Sequence, residues 1–309
     1  MSQSLVLGGA GFLGSHLCER LVEIGHQVVV VDDLSSGKIL NIQDGISNGL
    51  ITFIKQDICD SIELSGKFDF VFNLASPASP PRYSQLQRKT LRTGSIGTSN
   101  AIEFAIDKNA RFIQASTSEI YGDPEVHPQL ETYWGNVNPI GPRSCYDESK
   151  RFSEALCMAH KNETNLNVGI ARIFNTYGPR LDPIDGRVVS NLIHQALNNQ
   201  PMTIFGDGSQ TRSFCYVSDL ISGLIALAGS NKSGPINLGN PQEITINELS
   251  EKIKVLTNSK STVQYLGLPV DDPIRRCPDI SIAKSELGWH PEVKLEQGLK
   301  ETIDFFAGV

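Results

Sequence analysis

Seven residues near the N-terminus, Gly8-Gly9-Ala10-Gly11-Phe12-Leu13-Gly14, restrict this chain more than any other segment. They follow the short apolar run Ser4 to Leu7 and lead straight into Leu13, Leu17, Leu21 and Ile24, which recur at helical spacing. A strand that turns directly into a helix needs glycine where the turn tightens, where backbone approaches a ligand, and where helix meets strand. Gly8, Gly11 and Gly14 suit those three needs, and the helix would offer its free N–H groups and positive end to a pyrophosphate. Gly25 suits a helix stop, and the apolar run Val28 to Val31 ends in Asp32 and Asp33. Asp32 follows Gly14 by 18 residues, the spacing of a carboxylate that accepts both hydroxyls of an adenosine ribose. A 2′-phosphate would meet Asp32 and Asp33 as like charges, so the expected cofactor is NAD rather than NADP.

The same rhythm continues. Strands are expected at Thr52 to Ile54, Asp69 to Leu74, Arg111 to Ala115 and Val168 to Ile173, with helices near Arg88 to Ile106 and Glu148 to Glu163. Unbroken apolar strands alternating with helices imply an α/β fold, a doubly wound parallel sheet of the Rossmann type with right-handed crossovers. After Gly178 the texture changes. Glycine and proline cluster at Gly178-Pro179, Gly206-Asp207-Gly208, Gly234-Pro235 and Gly239-Asn240-Pro241. Helices are expected at Val188 to Asn198, Ser218 to Gly229, Ile246 to Thr257 and Leu295 to Phe306. The expected division is a dinucleotide-binding domain over residues 1–178 and a smaller C-terminal lobe over 179–309 that closes over a ligand, with the chain free to cross between them.

A net charge of −7 argues against a nucleic-acid backbone as the main partner. No run approaches the ~20 apolar residues that span a bilayer. Strand-like sequence from Leu5 leaves no room for a signal peptide, so a cytoplasmic location is expected. Cys18, Cys59, Cys145, Cys157, Cys215 and Cys277 are scattered without CxxC or paired Cys/His spacing, which suits reduced thiols and no metal site.

Two further segments carry chemistry. Tyr146-Asp147-Glu148-Ser149-Lys150 has YxxxK spacing, and Thr117-Ser118-Glu119 follows a separate strand. On a helix, positions four apart share a face, so phenol and ammonium could serve one ligand. A phenol near pKa ~10 is a poor base at neutral pH, and an adjacent ammonium with a positive nicotinamide would favour the phenolate. A chance YxxxK on a surface helix is the competing reading, and the upstream dinucleotide motif argues against it.

Together these residues resemble the extended short-chain dehydrogenase/reductase family, whose glycine spacing is GxxGxxG, and in particular its nucleotide-sugar branch. The similarity runs from about residue 4 to 306 and is strongest to members that decarboxylate UDP-glucuronate to UDP-xylose. It is carried by Ala75 to Pro81 (ASPASPP), Ser116 to Pro128 (STSEIYGDPEVHP), Tyr133-Trp134-Gly135 and Asn138 to Lys150 (NPIGPRSCYDESK). Arg172 to Arg180 (RIFNTYGPR), Asp185 to Asn191 (DGRVVSN), Gly208 to Phe214 (GSQTRSF) and Asn237 to Pro241 (NLGNP) extend it.

By this resemblance, NAD would contact Gly8, Gly11, Phe12, Leu13, Gly14, Asp32, Asp57, Ile58, Leu74, Ala75, Ser76, Arg92, Tyr146 and Lys150. Tyr146 would be the base at the sugar C4 hydroxyl, with Lys150 assisting. Thr117 would steady the developing oxygen charge, and Ser118 and Glu119 would handle the ring and proton traffic at C5. The outcome would be that of a lyase, NAD being regenerated through a transient 4-keto sugar. Asn175, Arg187, Val188, Asn191, Phe205, Gln210, Arg212 and Arg276 would hold the nucleotide sugar, with Arg212 and Arg276 on the diphosphate. Whether Arg276 also meets the sugar carboxylate stays open, as does a 4-epimerase or 4,6-dehydratase activity. Dehydratases carry Asp-Glu after the threonine where Ser118-Glu119 stands here. A non-catalytic NAD-sensing module should have lost Tyr146 or Lys150, and both are present. Thr93-Gly94 departs from the family's Thr-Asn, and Arg92 replaces its lysine. The helices near 88–106 and 148–163 would pair with a second copy into a homodimer.

Overall fold

The computed structural model describes residues 2–164, 166–268 and 275–308. Seven strands, β1 Gln3–Leu7, β2 Gln27–Asp32, β3 Ile51–Lys55, β4 Phe70–Asn73, β5 Arg111–Thr117, β6 Val168–Ile173 and β7 Ile236–Leu238, form one sheet. Their order is β7-β6-β5-β4-β1-β2-β3, and every neighbouring pair is parallel. The unbroken apolar runs explain this. Val28 and Val30 enter one hydrophobic core while Val29 and Val31 enter the other, so both faces of the strand need cover. Helices Phe12–Glu23 and Val217–Ala228 cover the first face; Thr98–Asp107 and Ser144–Thr164 cover the second. The strand order reverses between β1 and β4, which opens a crevice at the carboxyl ends of the strands.

The four helices expected after residue 178 start and end within one residue of their expected bounds, at Val188–Leu197, Val217–Ala228, Ile246–Leu256 and Leu295–Ala307, and a further short helix forms at Ser281–Leu287. The division at residue 178 is less simple. Val217–Ala228 and β7 belong to the large sheet layer, so the chain returns to it before building the remainder of the small lobe. That lobe holds a three-stranded sheet (Glu243–Thr245, Thr211–Ser213, Arg275–Arg276) and a pair formed by Met202–Phe205 and Val263–Leu266.

The helix expected near Arg88 to Ile106 is continuous in path but not in winding: Gln87–Arg92 passes through a π-turn at Thr93–Gly97 into Thr98–Asp107. Gly94 lies against the Ser144–Thr164 helix, where a Cβ would come 2.6 Å from Cβ of Ser149. Ser153 donates to the Gly94 carbonyl at 2.8 Å and locks the crossing. The departure at Gly94 therefore lets backbone touch the helix that carries Tyr146 and Lys150.

Candidate active site

A cleft of about 890 Å³ lies over the strand ends. Gly8, Gly11, Phe12, Leu13 and Gly14 form its floor at the first turn. Gly8 has φ 79°, and a Cβ there would come 2.8 Å from the Ala75 backbone. A Cβ on Gly14 would come 2.1 Å from the Gly8 carbonyl oxygen, so neither position admits a side chain. The Phe12–Glu23 helix has no side-chain cap at Gly11, which leaves its first N–H groups free for a ligand. That uncapped helix end beside close-fitting glycines fits a dinucleotide pyrophosphate.

Asp32 lines the cleft beyond that turn. One carboxylate oxygen accepts from the Ala10 N–H at 3.0 Å, the other from the Leu34 N–H at 2.8 Å. Burial pushes this carboxyl upward, and those two donors oppose the shift. Lys89 bridges Asp33 and Asp57, reaching Asp57 at 2.8 Å. Its own pKa rises to about 12, because the two acids outweigh desolvation by burial. Asp57, Ile58, Leu74, Ala75 and Ser76 line the cleft. Arg92 does not. It is exposed and outside the cleft, and its neighbour Thr93 lines the wall instead.

At the reaction end, β5 delivers Thr117, and a tight turn Ser118–Tyr121 follows, capped by the Glu119 N–H donating to the Thr117 hydroxyl at 3.2 Å. Tyr146 enters from the Ser144–Thr164 helix, almost fully buried, with Thr117 also on the cleft wall. Lys150 lies one turn on, its Nζ 5.9 Å from the Tyr146 ring centroid and donating to the Ala115 carbonyl at 2.8 Å. In the protein alone, burial pushes Tyr146 up to about 12 and pulls Lys150 down to about 8. Desolvation disfavours both charged forms.

Glu119 is ionised by a different route. Burial would raise its pKa, but Arg276 and Arg143, bonded to opposite carboxylate oxygens, hold it well below the ordinary range. Asp147 is pushed up by burial and by Glu119, and its buried Oδ1 has no hydrogen-bond partner. Arg276 thus commits its guanidinium to Glu119 and to the Gly122 carbonyl. The nearby Asp271-Asp272-Pro273 lies outside the described residues.

Asn175, Arg187, Val188, Asn191, Phe205, Gln210 and Arg212 line the far part of the cleft. Gln210 donates to the Phe205 carbonyl at 2.6 Å, and Arg187 pairs with Asp185 at 3.4 Å while donating to the Ala78 carbonyl at 3.2 Å. Lys150 alone of the expected reaction residues stays beneath the surface, behind Tyr146.

Sequence reasoning passed over Arg143 and Tyr83, both on the cleft wall. Arg143 precedes Tyr146 by three residues, one helical turn, which places both on one side. Tyr83 follows the ASPASPP block by two residues and carried no comparable signal.

A parallel sheet with a glycine-cradled cleft, a Tyr–Lys pair and an arginine-lined outer half defines an NAD-dependent enzyme acting on nucleotide sugars. The chain belongs to the NAD dependent epimerase/dehydratase family, whose model matches residues 4–239. It is 51% identical over 303 residues to UDP-glucuronic acid decarboxylase 1 of Danio rerio, covering 98% of this chain and 72% of that protein. Among solved structures it resembles UDP-glucose 4-epimerase from Thermotoga maritima with UDP-glucose (TM-score 0.92, 32% identity, 99% of both chains). It also resembles UDP-glucuronic acid 4-epimerase from Bacillus cereus in complex with UDP-glucuronic acid and NAD (TM-score 0.89, 29% identity, 99% of both chains). No helix among the described residues is long and apolar enough to cross a membrane, and no cluster of three His, Cys, Asp or Glu could hold a metal.

Proposed function

We infer that this chain decarboxylates UDP-glucuronate to UDP-xylose, with NAD recycled in each turnover. The observation that carries the reading is the convergence of Arg143 and Arg276 on Glu119 beside Tyr146. Guanidinium groups gathered beside the reacting carbon suit an anionic sugar, because planar N–H donors match a carboxylate, and a uronic acid carries one on the sugar itself. The identity of about half the residues to a named decarboxylase points the same way.

The chemistry that bound NAD would supply is reversible hydride acceptance from the sugar C4. The protein's part begins with Tyr146, whose phenol oxygen takes the C4 hydroxyl proton. Thr117, on the cleft wall with that phenol, steadies the charge on the C4 oxygen. A 4-keto uronate is a β-keto acid, so its C5–C6 bond breaks with the electron pair passing to the C4 oxygen as an enolate. Carbon dioxide leaves, and a proton returns to C5 by way of the Ser118 and Glu119 surroundings. Lys150, firmly bonded to the Ala115 carbonyl, fixes the base of the site and supplies positive charge behind the phenol. Asn175, Asn191, Arg187 and Arg212 would grip the UDP moiety. Decarboxylation removes the carboxyl mass from the substrate, whereas 4-epimerisation leaves mass unchanged, so mass analysis of the product tests the reading.

The chain is further proposed to act in the cytoplasm as a homodimer. Exposed Leu91, Ile96 and Phe152 on the two helices beside the site support such pairing, and sedimentation showing only monomer would count against it.

A further inference from the structure

We propose that Tyr83 is a positioning residue for Tyr146 and acts through its stacked ring. The proposal rests on Tyr146 as the proton-transferring phenol. The two rings lie 5.2 Å apart between centroids with planes only 10° from parallel. With Cys145 and Ala78 they form a small apolar cluster separate from both main cores, so no large core determines where the Tyr146 ring sits. Tyr83 is itself well fixed. It belongs to the short helix Pro80–Gln85, whose leading prolines preset the backbone, and its N–H donates to the Ser79 carbonyl at 3.0 Å. The Cys145 thiol donates to the Tyr83 carbonyl at 3.6 Å, tying this backbone to the helix that carries Tyr146.

A tyrosine has two side-chain torsions, and a hydrogen bond to its hydroxyl would restrain only the end of the ring. The stacked Tyr83 face restrains the ring plane and so keeps the oxygen on the arc that meets a sugar hydroxyl. It also shields one face of the phenol from water, which adds to the burial that raises its pKa. A misplacement of ~1 Å in a reacting group can lower turnover by about 10²-fold, so a restraint of this kind is worth having. The hydroxyl of Tyr83 takes no part in the stack.

The test compares Tyr83→Phe with Tyr83→Leu, using Tyr83→Met if the leucine variant does not fold. Tyr83→Phe keeps kcat within about threefold of the parent, whereas the aliphatic variants lose about tenfold or more in kcat while KM and NAD affinity hold. The Tyr146 titration, read with NAD bound as the tyrosinate absorbance lost in Tyr146→Phe, moves to lower pH in the aliphatic variants and stays in Tyr83→Phe. An unmoved titration in the aliphatic variants, or an equal loss of kcat in Tyr83→Phe, overturns the proposal. Because the titration needs no substrate, it stands apart from the activity: a parent chain that fails to turn over UDP-glucuronate counts against the decarboxylase reading alone.

Discussion

The Arg276 guanidinium closes on the Glu119 carboxylate across 157 residues of chain. Arg143 reaches the other oxygen of the same carboxylate from the turn before Tyr146. A buried acid with two cationic partners is an electrostatic hub, and the site's charge state follows from it.

The hub has a pH signature. The folded-state pKa of Glu119 is depressed below the ordinary 4.5, so its stabilising contribution is fully present above that value and is lost as pH falls through the lower folded value. Each proton so linked changes stability by ~1.4 kcal/mol per pH unit. Glu119→Gln should be less stable than the parent at neutral pH, because two buried arginines lose their acid. The gap should narrow under acid. Thermal unfolding of both proteins from about pH 3 to 7 measures this, and parallel curves would exclude the assigned coupling.

Tyr146→Phe should lower kcat by about 10²- to 10⁴-fold, the range of a lost general acid–base group. The glycine turn and Asp32 are untouched, so NAD affinity should stay within about twofold. Steady-state turnover beside an NAD titration separates the two effects, and near-normal turnover would remove Tyr146 from its role.

Gly94→Asn should both destabilise the protein and slow it. The new Cβ would sit 2.6 Å from Cβ of Ser149, so the helix carrying Tyr146 and Lys150 has to move. Overpacking of this kind costs about 1–3 kcal/mol. Differential scanning calorimetry and kcat should fall together, and an unchanged melting temperature would show that the crossing tolerates a side chain.

Lys89→Met leaves Asp33 and Asp57 without their shared cation beside the adenosine end. NAD binding should weaken by about tenfold, and added salt should shrink the deficit because the two half-buried acids are partly screened. Titration of NAD at low and high ionic strength checks both parts.

The dinucleotide half was readable in the sequence because its signals are local. Glycine spacing, apolar runs and Asp32 at the strand end each follow from a short stretch of chain. The return of β7 to the large sheet was harder to see. Ile236–Leu238 is only three residues long and sits between Gly234-Pro235 and Gly239, punctuation that reads as loop. Arg92 and Thr93 are neighbours in sequence but about 100° apart around a helix, so one faces water while the other faces the cleft. The Arg276–Glu119 pair and the Tyr83–Tyr146 stack are tertiary relations, which no periodicity encodes.

The most direct test of the decarboxylase assignment is product identification after the chain is incubated with UDP-glucuronate and NAD, without added reductant. Release of carbon dioxide in step with UDP-xylose, and no net accumulation of NADH, is the expected result. A product of unchanged mass, a UDP-hexuronate epimerised at C4, would contradict it.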